Sequence, residues 1–480
     1  MKKNYFYNLL LSITNILFPI LSFPYASRIL GPEGIGKVQM SSTLAQYFGL
    51  IAALGIPIYG MQEIARVRND KKALSQVFSE LFSIYFICSV LVAIVYLLVI
   101  LYFPYFKENN ALFLYAGIIV LLGFTTVDWF YAGLEEFKII AIRSISIKII
   151  ALLLLYSFVK ERSDYLYFLF ITLFSMMGNN LIGIYYLHKR TSLSIRDLNL
   201  KKHIVPLFFI FSTTMAASMY TYLDTVLLGF LSNNKSVGLY TAAVKLTKIA
   251  IPFITAASFV LIPRFAIHTQ QNNQQAHQEL LHKSWHYIVF FSIPISVGLL
   301  VNAPEFVMVF SGVQFVEAIT AMQMMAFLPF FIGLGYFFAF QILVPLGKNK
   351  EMLYAVLVGM VLSLLMNFSL IPYWQEKGAA IANLITEIVV TAVYLYFIQK
   401  IFAFKYHWNL IVKSLVCCVF FYPIVLLLRH FQTENLIVLL ASIILSALSY
   451  FSMQWLIFKD LFLLEIGKAL LNKIKPNPAD

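Results

Sequence analysis

Two apolar stretches between Phe211 and Arg264, joined by SNNKS at Ser232–Ser236, hold three residues that such stretches rarely contain: Asp224, Lys245 and Lys248. A charge at membrane depth costs about 3 kcal/mol or more, so it pairs, faces water, or marks the path of a charged passenger. Lys245 and Lys248 are three apart and share a helix face with Thr241 and Pro252. Counted from Gly238 at about 1.5 Å per residue, they lie roughly 10 and 15 Å deep, too far for comfortable reach to an interface. Two accounts follow. Either Asp224 pairs with one lysine and only fixes helix packing, or one lysine is kept for an anionic group.

Other charges extend the set. Ser12, Asn15, Pro19, Ser22 and Ala26/Arg28 fall along one face of the first apolar stretch, a stripe that lines water or hydrogen-bonds a neighbouring helix. Arg28 stands near its outer end, as a cavity cation or an interfacial anchor. Asp128 and the run GLEEFK at Gly133–Lys138 close the fourth stretch, and Arg143 and Lys148 carry charge into the fifth. They belong to a substrate cavity or anchor two helix ends. Glu387, beside Asn383 and Thr386, is central in the twelfth stretch and is the candidate proton or Na+ carrier, with Asp128 as the second carboxylate.

Three motifs are set aside. GPEGIGKV at Gly31–Val38 nearly spells a phosphate-binding loop, but Val38 replaces the metal-holding hydroxyl and no strand precedes it, so it reads as a Gly/Pro turn. His277, His282 and His286 have ligand-like spacing without accompanying cysteines, and read as a solvated helix face. Cys88, Cys417 and Cys418 each sit in an apolar run and frame neither a disulfide nor a metal site.

The elements that position these residues are membrane helices. The chain has 480 residues, 61% hydrophobic and 12% charged, against about 25% charged in soluble proteins. Its net charge of +13 comes from short loops between apolar runs, which argues for membrane topology and against a nucleic-acid partner. A span needs about 20 apolar residues. Fourteen candidates run at 8–30, 39–61, 81–103, 111–134, 139–159, 165–187, 204–231, 237–262, 284–302, 317–345, 352–372, 378–398, 408–428 and 435–457, with breaks expected at Pro206, Pro252 and Pro329. The first reads as a retained span, since its apolar run is too long for a signal peptide. With the N-terminus inside, 25 Lys and Arg fall on the cytoplasmic side and 8 outside, which places both ends in the cytoplasm. No outer loop is long enough for a soluble domain, so the function lies within the bilayer. Gly31 and Gly229, and Arg66 and Arg264, each lie 198 positions apart, which suggests two six-helix halves with the substrate held between them.

Five stretches in order carry a family resemblance: RILGPEGIG at Arg28–Gly36, GMQEIAR at Gly60–Arg66, DWFYAGLEEFK at Asp128–Lys138, LDTVLLG at Leu223–Gly229 and VGLYTAAVK at Val237–Lys245. The chain resembles the Wzx-type polysaccharide flippases, the polysaccharide-transport branch of the multidrug/oligosaccharidyl-lipid/polysaccharide superfamily. The resemblance implies an all-α, MATE-like membrane fold of 14 helices in two lobes. It implies passage of undecaprenyl-pyrophosphate-linked repeat units across a bacterial inner membrane by alternating access, for O-antigen, capsule or similar glycans. It implies no cofactor beyond H+ or Na+ coupling, and as partners the lipid-linked glycan, membrane lipid, a polysaccharide polymerase and a chain-length regulator.

The expected organisation is an N-terminal lobe over 1–190, a cytoplasmic linker over 191–203, a second lobe over 204–400, and two extra helices with a tail over 401–480. Basic residues at several depths, Arg28, Arg143, Lys245 and Lys248 among them, suit an anionic passenger. A MATE-like drug or cation antiporter would carry an acidic or apolar cavity. A membrane-embedded glycan polymerase or ligase would need a longer outer loop with convergent acids and histidines.

Overall fold

A computed structural model describes residues 2–188, 190–194, 198–255, 274–401, 407–431 and 434–459. Every regular element among them is helical. The composition dictates this, because a backbone in hydrocarbon must satisfy its own N–H and C=O groups, and a helix does so within one segment. Among the described residues, ten helices are long and apolar enough to cross a membrane, or eleven if the bent pair Asn110–Leu121 and Gly123–Gly133 counts as one span. The chain is a multi-pass membrane protein of the helical class expected. The expected count of fourteen is not established by these ten or eleven, two of which each hold two expected spans.

The first of those is α1 (Lys2–Ala53), in which Gly31 breaks the helical backbone with φ 68° and ψ 178°. Only glycine enters that region without strain, and Pro32 then restarts the helix with its fixed φ. The turn expected over Gly31–Val38 is therefore a single residue. The chain continues through α2 (Ile56–Val67), α3 (Lys71–Tyr102), α4 (Asn110–Ala116), α5 (Ile118–Leu121), α6 (Asp128–Gly133), α7 (Phe137–Phe158), α8 (Tyr165–Leu187), α9 (Lys201–Leu231) and α10 (Asn234–Lys248). Then come α11 (Gln274–Val301), α12 (Ala303–Phe310), α13 (Ala318–Met324), α14 (Leu328–Tyr336) and a π-helix at Phe337–Leu343. The second double helix is α15 (Asn349–Ile401), interrupted at Gln375 with φ 48°. The chain closes with α16 (Trp408–Cys417), α17 (Phe421–Phe431) and α18 (Asn435–Leu456). Pro206 sits inside α9 without ending it, whereas Pro329 opens α14 and Pro252 follows the end of α10.

The molecule divides into two compact units. Unit 1 comprises Met1–Ala242, Phe310–Phe315 and Met360–Ala379, and unit 2 comprises Ala243–Val309, Val316–Gly359 and Ala380–Asp480. In unit 1, α1 packs on α3, α7 and α9, α7 on α8, and α2 on α6. An aromatic cluster of Phe78, Trp129, Phe130 and Tyr131 fills the core beneath α2. In unit 2, α11 is the hub for α14 and α16, and Trp285, Phe290, Phe337 and Tyr450 occupy its core. The closing helices are fastened to α11 and to α12 after it. Tyr450 Oη donates to the Phe290 carbonyl at 2.8 Å, and Arg429 makes a forked pair with Glu305 at 2.7 and 2.9 Å.

Unit 1 also shows a reciprocal crossing. A Cβ on Gly36 would strike the Asn234 carbonyl, and a Cβ on Gly238 would strike the Pro32 carbonyl. Each glycine lets the other segment's backbone approach, the self-complementary pattern of a two-fold contact. Gly36 to Gly238 and Pro32 to Asn234 are both 202 apart. These separations differ by four residues, about one helical turn, from the 198 expected of an internal repeat.

Candidate functional site

Asp224 stands on α9 with 1% of its surface exposed. Its Oδ2 accepts from Tyr240 Oη at 2.9 Å, and its Oδ1 accepts from Asn367 Nδ2 at 2.8 Å and Ser363 Oγ at 3.4 Å. A carboxylate removed from water must replace several hydrogen bonds, and here α10 and the middle of α15 supply neutral donors. Ser363 and Asn367 are one turn apart on α15, so one helix face presents both. Neither was singled out from the sequence. The available signal was a pair of polar residues four apart within an apolar run.

Arg143 and Asp128 come together as an ion pair, with the Arg143 side chain 3% exposed and Asp128 40%. The guanidinium lies 5.1 Å from the centre of the Tyr131 ring, and Tyr131 Oη donates to the Gly183 carbonyl at 2.6 Å. Gly183 leaves the room that the guanidinium occupies, since a Cβ there would meet Arg143 Nη1. Asn180 donates to Thr126 at 2.9 Å beside it. Arg143 is thus a desolvated cation with one carboxylate and one aromatic face to balance it.

The remaining polar stripe and charge runs act as helix fasteners. Lys148 donates to Asn15 Oδ1, which ties the stripe on α1 to α7. Ser12 and Ser22 bond back to carbonyls of their own helix. In GLEEFK, Glu135 pairs with Arg68 at 2.6 Å and Glu136 with Arg190 at 2.8 Å. That is the anchoring role. Arg28 is exposed, with its side chain against Gly312 and its carbonyl accepting from Gln314 at 3.3 Å.

Unit 2 holds the other expected residues. Lys245 is exposed and Lys248 half-buried, although Ala243, Leu246 and Thr247 beside them are buried. Lys245 is thus the exposed position on an otherwise mostly buried helix. Glu387 is 9% exposed on α15, within electrostatic reach of the Tyr336 and Tyr394 phenols. Unit 2 also carries an apolar groove of about 350 Å³ lined by Phe253, Phe290, Pro294, Gly298, Tyr450 and Phe451, among others. The sequence did not reveal this groove, because its walls come from segments up to 202 residues apart.

Two further buried polar features were missed. Glu80 on α3 is fully buried and accepts from Lys202 Nζ at 2.7 Å, His203 Nε2 at 2.9 Å and the Asn199 N–H at 2.9 Å. His203 Nδ1 meets Tyr59 Oη at 2.9 Å, so the start of α9 is locked to α2 and α3. Gln341 lies fully buried in the π-helix, and neither amide atom has a hydrogen-bond partner among the described residues. No group of three His, Cys, Asp or Glu could hold a metal among the described residues. His282 lies beside His407, with tilted rings whose centres are 4.9 Å apart, and the His277 side chain and Arg264 lie outside the described residues.

Comparison with known proteins places this geometry. A family model described as "Polysaccharide biosynthesis protein" matches residues 1–268. A protein of Shigella dysenteriae named as an O-antigen transporter is 27% identical over 396 residues, which is 81% of this chain and 98% of that protein. Among solved structures, the lipid II flippase MurJ in an inward closed conformation matches with a TM-score of 0.77 at 15% identity, over 95% of this chain and 99% of its own. An inward-facing multidrug resistance MATE family transporter of the MOP superfamily gives 0.65 at 17% identity, over 80% and 93%. The fold is therefore the MATE-like one expected.

Proposed function

This chain belongs to the polysaccharide biosynthesis protein family, and on that premise we propose that it is a flippase that carries undecaprenyl-pyrophosphate-linked oligosaccharide repeat units from the cytoplasmic to the outer leaflet of the inner membrane. The observation that carries this reading is the likeness, over four fifths of the chain, to a protein named as an O-antigen transporter. It is a transporter, not an enzyme. The passenger joins a long apolar chain to an anionic, hydrated head. The apolar groove of unit 2 suits the polyprenyl chain, and the accessible Lys245 and half-buried Lys248 suit the pyrophosphate. Arg143 and Arg28 add positive charge, with Asp128 and Asp224 setting the polar groups around them.

In this reading the lobes over 1–190 and 204–400 alternate in access, the 191–203 segment links them, and both termini are cytoplasmic. Glu387, with Asp128, couples passage to H+ or Na+. Desolvation penalises a charged carboxylate in such a place, so uptake of a cation there has a physical drive. A polymerase and a chain-length regulator act on the delivered units. The test uses inside-out vesicles from cells lacking their own flippase, loaded with lipid-linked repeat unit. Wild type should move the glycan into the lumen, where a glycosidase or lectin detects it. Transport of drug cations with no glycan movement would overturn the reading in favour of an antiporter.

A further inference from the structure

A polar cavity lies in unit 1, at the start of α3. It has a volume of about 630 Å³, and its walls include Lys71, Lys72, Ser75, His188, Arg190 and Ser192. Among the described residues, three permanent cations and a histidine line it, and no carboxylate does. We infer that this cavity binds a phosphate group, on the side that the Lys and Arg count assigns to the cytoplasm.

The neighbouring acids leave the charge in place. Asp70 caps α3 by accepting the N–H groups of Lys72 and Ala73 at 2.9 and 3.2 Å, so its carboxylate is engaged with the backbone. Glu80, one turn beyond Gln76, is taken up by Lys202, His203 and the Asn199 N–H. Glu136 pairs with Arg190 and offsets one cation. Lys71 and Lys72 make no ion pair with any described residue, which leaves a net surplus of positive charge facing the cavity. Its wall is built rather than loose. Thr191 Oγ1 and the Ser192 N–H donate to Ser75 Oγ at 3.0 and 3.4 Å, and the Ser194 N–H donates to Ser79 Oγ at 3.0 Å.

Charge bias for topology does not account for this convergence. The positive-inside rule counts basic residues loop by loop and asks nothing of where they point. Here two loops separated by more than a hundred positions bring cations, hydroxyls and backbone around one space. Lysines as point charges, an arginine fork and hydroxyl donors are the chemistry that recognises phosphate. Two sources present it on that side: the headgroup of an anionic phospholipid, or a soluble phosphate ester or pyrophosphate. The side of the membrane rests on the orientation proposed above; the chemistry of the cavity does not.

The test uses the full-length protein purified in detergent. One arm titrates inorganic pyrophosphate by calorimetry. The other measures retention of phosphatidylglycerol against phosphatidylcholine by native mass spectrometry. The triple variant Lys71→Gln/Lys72→Gln/Arg190→Gln should bind at least about tenfold more weakly in one arm or both, given a few-fold per cation near a membrane surface. Loss in the pyrophosphate arm alone names a soluble ligand, and loss in the lipid arm alone names the headgroup. The control Lys348→Gln/Lys400→Gln/Lys413→Gln removes equal charge from the same side and should stay within about twofold of wild type. Ser192→Glu keeps every cation while adding a carboxylate at an exposed wall position, and should weaken binding in the same arm, even where the triple variant fails to give monodisperse protein. Equal binding by wild type and Ser192→Glu, or an equal loss in the control, overturns the site. A chain that binds a probe but moves no glycan in vesicles keeps the site and overturns the function instead.

Discussion

Unit 1 and unit 2 treat their polar groups differently. In unit 1 three buried ionisable residues have local partners: Arg143 has Asp128, Glu80 has Lys202 and His203, and Asp224 has Tyr240, Ser363 and Asn367. In unit 2, the buried Glu305 likewise pairs with Arg429, but Lys245 stays exposed on a mostly buried helix and the described groove is almost purely apolar. The contrast separates framework from handling surface. A buried network that satisfies its own members rigidifies what it joins, whereas an open apolar groove leaves its walls for something else.

That contrast gives a simple rule for variants: changes in unit 1 networks lower stability, and changes in unit 2 surfaces lower transport at unchanged stability. The largest effect falls on Lys245→Ala/Lys248→Ala. Each charge-assisted contact to a pyrophosphate is worth about 2–3 kcal/mol, so losing two cuts vesicle transport by roughly a thousandfold. Lys→Arg at both should retain part of the activity, and full activity of the double Ala variant would leave those lysines a packing role only.

Next comes Asp224→Ala, which strands three donors in a buried place. A loss of about 3 kcal/mol in unfolding free energy is expected, with a smaller loss for Asp224→Asn. Unchanged stability with lost transport would move Asp224 from framework to path and break the comparison.

Glu387→Gln keeps shape and hydrogen bonding but cannot titrate. Vesicles carrying it should bind lipid-linked substrate normally yet lose the response to a one-unit pH gradient, which is worth about tenfold per proton carried. A response equal to wild type would pass the coupling role to Asp128 or Asp224.

The smallest effect belongs to the groove. A Cβ at Gly298 meets nothing within 4 Å, so Gly298→Phe projects into open space without a backbone clash. It should leave the melting temperature within about 2 °C and slow transport of the long-chain substrate about fivefold, while a short-chain analogue is spared. An equal slowing of both would separate the groove from the isoprenoid chain.

Much of the helical pattern was legible in the chain. The apolar runs over 139–159, 165–187, 408–428 and 435–457 reappear within a few residues as α7, α8 and the trailing helices, because in hydrocarbon a long apolar run has one way to satisfy its backbone. The oddity of Asp224, Lys245, Lys248 and Arg143 was also legible, since a charge in such a run is expensive wherever it points. Their surroundings were not. Ser363 and Asn367 lie about 140 positions from the Asp224 they bond, and nothing local marks them as its donors. The turn at Gly31 contracts to one residue because Pro32 restarts the helix immediately. The contact of Gly36 with Asn234, and of Gly238 with Pro32, spans 202 positions rather than the 198 expected of a repeat, because it is set by backbone approach and not by matched letters. Composition and periodicity act along the chain and so can be read there. Which donor reaches which carboxylate, and which apolar walls meet as a groove, is decided by packing between segments far apart in sequence.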